Sequence, residues 1–163
     1  MIKVDLAREN QVHAADPATS TWLSANAGSG KTKVLTDRVA LLLLEGVAPE
    51  RILCLTYTKA AASEMQNRLF RLLGGWAMTE NKELYKKLTD IGLRVSNNSE
   101  KLRHARTLFT RAIETPGGLK VQTIHSFCAS LLRQFPLEAG VSPVFTEIDE
   151  RRIKDLSIDI LEN

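Results

Sequence analysis

Four residues able to hold a phosphate group stand together in "SANAGSGKT", residues 24–32: Gly28, Gly30, Lys31 and Thr32. The pattern for such a loop is G-x-x-x-x-G-K-[ST], and the chain meets it everywhere except the first position, where Ala25 replaces glycine. Glycine is needed where a Cβ would block the phosphates or where the backbone turns left-handed, and Gly28 and Gly30 sit where those demands fall. Ala25 lies at the mouth of the preceding segment, where a methyl group fits. Backbone N–H groups from Gly28 to Thr32 (Ala27 and Ser29 being the loop's other members) lie at a helix start, where unpaired donors and the helix dipole favour an anion. Lys31 adds a point charge for the β- and γ-phosphates, and the Thr32 hydroxyl can ligate Mg²⁺.

Two more polar clusters fall at strand-to-helix junctions: "TYTKAA", residues 56–61, and "TIHSF", residues 123–127. Each offers hydroxyls, an aromatic ring and helix-start N–H groups, which can grip phosphates and stack a base. Taken singly, each is also a capped helix start. His125 and Cys128 are three apart on a helix pattern, but no further ligand residues gather near them in the sequence, so neither a metal site nor a Cys/His nucleophile is indicated.

The flanks are the elements that must position these groups. "STWLSA", residues 20–25, is β-compatible, and Val34, Leu35, Val39, Leu42 and Leu43 recur at helical spacing behind the loop. The apolar run 39–47 is far shorter than the ~20 residues a bilayer needs, and reads as a buried helix. A second strand is expected over 52–56. The helix after it carries the stripe Ala62, Met65, Leu69, Leu72 and Leu73 and is expected to stop at Gly74-Gly75. Strand and helix alternating in this way imply a parallel sheet with right-handed crossovers. Between Gly74-Gly75 and Pro116-Gly117-Gly118 lies a helical insertion, with Leu102, Ala105, Phe109, Ala112 and Ile113 at helical spacing and Asn97 and Glu100 as a start signal. "LKVQTI", residues 119–124, alternates as a strand, and Phe127, Leu131, Leu132 and Phe135 mark the next helix. Ile153, Leu156, Ile160 and Leu161 form a last stripe that reaches the C-terminus uncapped, as if the chain stops within a structure.

Composition fits a soluble globule: 163 residues, 44% apolar and 25% charged, with no secretory signal pattern. A cytoplasmic location follows as the expectation. Cys54 and Cys128 are too few and too far apart for a disulfide framework, and both are expected in the core. Net charge is a mild +3, but residues 82–120 carry nine Lys/Arg against four acids, a balance that suits a polyanionic partner or a solvated helical face.

At this point the chain resembles a known family, the UvrD/Rep group of superfamily 1 DNA helicases. Gln11 in "ENQVHAAD" matches the family's adenine-reading Q motif, "ANAGSGKT" its phosphate loop, "ILCLTYTKAAASEMQNRL" its motif Ia and "VQTIHSFCASLLR" its motif Ib. The wording of "GGLKVQTIHSFC" and "FPLEAGVSP" looks closer still to the N-terminal part of the AddA-type, RecB-like helicase-nuclease subunits of bacterial double-strand-break repair. The resemblance implies a RecA-like P-loop NTPase fold. It puts an ATP-binding motor domain at 1–136, with the insertion at 76–118, and the truncated start of a helical subdomain at 137–163. It implies ATP and Mg²⁺ as cofactors, held by Gln11 at the adenine and by Ala27, Gly28, Ser29, Gly30, Lys31, Thr32 and Lys33 around the phosphates and metal, with Lys31 and Thr32 in the catalytic machinery and Arg38 in the helix behind. It implies that Thr56, Tyr57, Thr58, Thr123, His125 and Ser126 contact single-stranded DNA, with Tyr57 stacking a base. Duplex DNA ends, an exonuclease activity in the parent and a partner subunit of the AddB type are implied in the same way.

Lys33 stands where many relatives carry arginine, and the insertion is longer than in the simplest of them, although it suits AddA and RecB. Hydrolysis needs an acidic pair and arginines. The one candidate pair, Asp149-Glu150, follows an interrupted apolar run, and Asp149 reads better as a helix N-cap. The chain is therefore expected to be an inactive N-terminal fragment of an active enzyme. Two other readings are open on the residues: a P-loop phosphotransferase for a small substrate, and a non-catalytic nucleotide- or DNA-binding module.

Overall fold

A computed structural model describes residues 2–24, 26, 28, 30–93, 99–148, 152, 157, 158 and 160. It divides into two compact units, residues 1–122 and 123–163.

The first unit opens with helix α1 (Ile2–Ala15), which packs on α2 (Lys31–Leu44). Among the described side chains of α1, only Ala14 and Ala15 are buried, so its hold on the core is at its C-terminal end. Arg38 reinforces that end by donating to the carbonyls of Asp16 and Thr19, both at 2.6 Å. The α2 core face is Val34, Val39, Ala40, Leu41 and Leu43; Leu35, expected inside, is 39% exposed. A single 3-10 turn (Pro49–Arg51) leads into strand β1 (Leu53–Thr56). β1 pairs with β2 (Lys120–Thr123) in a two-stranded parallel sheet, so the expected α/β character and parallel pairing are present at that scale. Cys54 faces the core, while Leu53 and Leu55 on the other face are about 40% exposed.

The expected strand at 20–25 is not formed. Its described residues, 20–24, are irregular and exposed, with Trp22 93% exposed. A strand exists through ladder hydrogen bonds to a neighbour, and no described strand pairs with this segment.

Helix α3 (Lys59–Met78) corrects a second expectation by running straight through Gly74-Gly75. An interior glycine costs about 1 kcal/mol relative to alanine. Beyond the pair lies Trp76, 1% exposed, and burying about 200 Å² of aromatic side chain contributes about 5 kcal/mol at ~25 cal/mol per Å². Gly74 lies against Phe109, whose ring would be 3.4 Å from a Cβ at that position. Phe109 in turn meets Phe70 edge to face at 6.4 Å.

The segment between the glycine pairs holds two helices, α4 (Asn81–Asp90) and α5 (Ser99–Glu114). α4 was not expected; two buried leucines, Leu84 and Leu88, anchor it. α5 buries Leu102, Ala105, Leu108 and Ala112 and half-buries Phe109, whereas Ile113 is 56% exposed. It is fastened to the ends of two other helices, with His104 Nε2 3.3 Å from the Leu43 carbonyl and Arg106 donating to the Thr79 carbonyl at 2.7 Å. Asn97, part of its expected start signal, lies outside the described residues.

In the second unit, α6 (Ile124–Gln134) buries Ala129 and half-buries Phe127 and Leu132, while Leu131 and Phe135 are 40% and 48% exposed. Arg133 pairs with Glu147 and lies 5.2 Å from the Phe145 ring centroid, closing the following turn on the helix. Of the expected last stripe, Ile160 is helical and exposed; Ile153, Leu156 and Leu161 lie outside the described residues. Among the described residues no helix is long and apolar enough to cross a membrane.

Candidate nucleotide and nucleic-acid site

The phosphate loop and α2 have the local geometry that their residue types demand. Gly28 and Gly30 both take left-handed backbone, φ +79° and +88°, a conformation rare for side-chain-bearing residues. Gly30 is the N-cap of α2 and brings no side chain to the first-turn N–H groups, which have no intrahelical acceptors. Lys31 reaches back to donate to the Asn26 carbonyl at 2.7 Å, so its ammonium lies along the loop. Thr32 is half-buried, and its carbonyl accepts the Thr36 hydroxyl at 2.7 Å. Lys33 forms an ion pair with Asp37, whose carboxylate is buried in the first turns of α2. Ala25, Ala27 and Ser29 lie outside the described residues, as do Asp149 and Glu150.

Gln11, nineteen residues upstream of Gly30 in sequence, meets the loop. Its Nε2 lies 3.1 Å from where a Cβ on Gly30 would stand. Gln11 and Lys33 also line one cavity of about 820 Å³ between α1, α2, α3 and α4. A second cavity of about 500 Å³ lies between the irregular segment at 20–23 and α2, with Lys31 and Arg38 in its wall. Gln11 thus lies beside Gly30 at the start of α2 and shares a cavity wall with Lys33.

The junction after β1 is built by capping. Thr58 is the N-cap of α3 and accepts from the Ala61 N–H at 3.1 Å, while the Thr56 hydroxyl donates to the Thr58 carbonyl at 3.0 Å. Tyr57 between them is 81% exposed. In the second unit, Thr123 is the N-cap of α6, accepting from the Ser126 N–H at 3.1 Å and sharing a hydrogen bond with the Ser126 hydroxyl at 2.9 Å. His125 is exposed. The hydroxyls at both junctions are thus bonded locally, and Tyr57 in one unit and His125 in the other are exposed beside them.

Among the described residues no cluster of three metal-ligating side chains occurs. Burial pushes the Cys54 thiol above its ordinary range, keeping it protonated and inert. Cys128, expected in the core, is exposed, while its neighbour Ala129 is the buried residue of α6. Sequence reasoning did not find Asp37 or the cavity wall supplied by Trp76 and Asp90. A carboxylate one helical turn after Lys33 was the available signal for the first. The wall depends on nonlocal packing.

Comparison with known proteins gives a family match. Residues 6–163 match the model described as UvrD/REP helicase N-terminal domain. Similar proteins, named as ATP-dependent helicase/nuclease subunits of the AddA type, include that of Desulforamulus reducens, 31% identical over 88% of this chain and 10% of the relative. The Enterococcus faecalis protein is 33% identical over 76% of this chain and 8% of its own length. For Heliobacterium modesticaldum the identity is 34%, over 86% of this chain and 8% of the relative. The chain spans about a tenth or less of the length of these relatives.

Proposed function

The chain belongs to the UvrD/REP helicase N-terminal domain family, and on that premise we propose that it is the ATP-binding, single-stranded-DNA-contacting N-terminal segment of an ATP-dependent DNA helicase-nuclease of double-strand-break repair. The observation that carries the reading is the uncapped start of α2, with left-handed Gly28 and Gly30 leading into it and Gln11 against Gly30. Such a start binds the phosphates through backbone N–H groups. Lys31 turns from the Asn26 carbonyl to the β- and γ-phosphates, and Gln11 meets the adenine. Thr32 would hold Mg²⁺, which when bound offsets charge on the phosphoryl oxygens. Ala27, Ser29 and Lys33 complete the binding loop.

On the DNA side, the exposed Tyr57 ring stacks a base, and Thr56 and Thr58 border it. Thr123, His125 and Ser126 contact the sugar-phosphate backbone. Residues 1–136 then form a RecA-like motor domain containing the insertion at 76–118, and 137–163 begin a helical subdomain. In the parent, this domain works with parts that supply the acidic pair and arginines; the 163-residue chain by itself binds nucleotide and hydrolyses negligible amounts. The parent's partners are duplex DNA ends and a subunit of the AddB type, and the bacterial cytoplasm is its location.

The test is a fluorescence titration of the chain with an ATP analogue in Mg²⁺, repeated with Lys31→Ala. Saturable binding that the substitution abolishes is the expected result; binding indifferent to Lys31 overturns the phosphate-loop reading. DNA-stimulated turnover by the purified chain would overturn its assignment as catalytically incomplete.

A further inference from the structure

Two glycines bracket α1 at consecutive residues. A Cβ on Gly30 would stand 3.1 Å from Gln11 Nε2, and one on Gly92 would stand 2.6 Å from Val12 Cγ1. The second distance is shorter than carbon atoms tolerate, so the turn after α4 lies against α1 at Val12 because residue 92 has no side chain. Its φ of +99° is a separate reason for glycine. One turn earlier on α1, Arg8 pairs with Asp90, the last residue of α4. Arg8, Gln11 and Val12 are spaced i, i+3 and i+4, so they share a face of α1. Between Asp90 and Gly92, Ile91 is 8% exposed. The surfaces that meet here border an open cleft of about 820 Å³ whose wall includes Gln11, Val12, Lys33, Trp76, Asp90 and Ile91. That volume admits a small-molecule ligand, and its walls combine apolar side chains such as Val12, Leu72, Trp76 and Ile91 with charged ones such as Arg8, Lys33, Asp37 and Asp90.

The N-terminal helix is held mainly by its packing on α2. Its buried described residues, Ala14 and Ala15, lie one turn beyond Gln11. An exposed ion pair such as Arg8–Asp90 is a weak restraint. The close seat of Val12 on Gly92 adds to the packing of α1 on α2 a contact right beside Gln11.

We propose that the C-terminal turn of α4, in the helical insertion, positions Gln11: Gly92, aided by Asp90, seats α1 so that the Gln11 amide faces a purine base held in this cavity, beside phosphates on the loop. The proposal rests on the nucleotide reading given above and adds to it a role for the insertion. Gly92 is a positioning residue, acting through Val12 and Gln11.

The probe that separates positioning from general stability is inorganic tripolyphosphate, which keeps the phosphates and lacks the base. The preference of the chain for ATP over tripolyphosphate, measured in Mg²⁺ by titration calorimetry, reports the base contact. Gly92→Ala is expected to lower that preference about three- to tenfold, the worth of one hydrogen bond, while tripolyphosphate affinity holds. Val12→Ala in the same chain removes the obstructing methyl groups and restores part of the preference. An unchanged preference, or an equal loss for both ligands, overturns the proposal. If Gly92→Ala does not fold, Arg8→Asp carries the same test: it lowers the preference, and Asp90→Arg added to it restores it, with failure of both steps counting against the idea. Gln11→Ala distinguishes the levels. If it lowers the preference while the Gly92 and Arg8 variants do not, only the positioning role fails; if it leaves the preference intact, the adenine role of Gln11 fails and takes this proposal with it.

Discussion

The helices that carry the candidate residues start in two different ways. α3 and α6 each begin with a threonine whose side chain accepts from a first-turn N–H, Thr58 from Ala61 and Thr123 from Ser126. α2 begins with Gly30, which offers no side chain at all. A side-chain cap contributes about 1 kcal/mol, so α2 starts at a disadvantage that an anion can offset and the other two do not. The difference separates two kinds of contact. Where the N-cap has no side chain, the proposed ligand-binding group is the backbone itself; where a threonine caps, the groups proposed for a partner include the exposed Tyr57 on one junction and His125 on the other.

The largest expected effect follows from the open start. Nucleotide at a hundred times its Kd should stabilise the chain by about 2.7 kcal/mol, since it binds the folded state alone. The shift is read from urea denaturation with and without ATP, and Lys31→Ala should remove it. A shift surviving that substitution would break the comparison, because the anion would then be held somewhere other than at α2. Next comes the projecting aromatic: Tyr57→Ala should weaken single-stranded DNA binding by about 1 to 3 kcal/mol, measured by fluorescence anisotropy, and leave thermal stability alone because the ring is exposed. Unaltered DNA affinity would leave the α3 junction as a capped helix start and nothing more.

What was legible in the sequence had local causes. Glycine at 28 and 30 announces left-handed backbone, and both residues adopt it. Threonine before an apolar-periodic run announces an N-cap, and Thr58 and Thr123 are N-caps. The misreadings of whole elements turn on distant partners. Gly74-Gly75 looks like a stop until Trp76 and Phe109 are seen to pack around it. Residues 20–24 look like a strand, yet no described strand lies beside them. α4 is short and mostly polar, and only its two leucines, buried against the other helices, make it an element. At the site the same division holds, because the loop was readable from its motif whereas the seat of Val12 on Gly92 exists only in three dimensions.

A third prediction sharpens the contrast by trying to convert the open start into a capped one. On propensity alone, Gly30→Ser should stabilise α2 slightly, since serine is among the preferred N-caps. At Gly30 the backbone is at φ +88° and a Cβ would lie 3.1 Å from Gln11. The expected outcome is a loss of about 1 to 2 kcal/mol in urea denaturation together with weaker nucleotide binding. A gain in stability would mean that the left-handed turn is dispensable and that the open start reflects no demand from a ligand.

The smallest expected effect lies at a cap itself. Thr58→Ala leaves the Ala61 N–H without its acceptor and should cost about 1 kcal/mol of stability. Nucleotide affinity should not move, since the residue is at the start of α3 and outside both cavities at the phosphate loop. Single-stranded DNA affinity is the informative reading. If the Thr58 hydroxyl serves only its own helix, affinity falls no further than the loosened α3 start explains, and Thr58→Ser, which keeps the cap, restores stability and DNA binding together. If Thr58→Ser restores stability while DNA binding stays weak, the threonine methyl group itself touches the strand, and the boundary between capping and contact drawn at this junction would have to move.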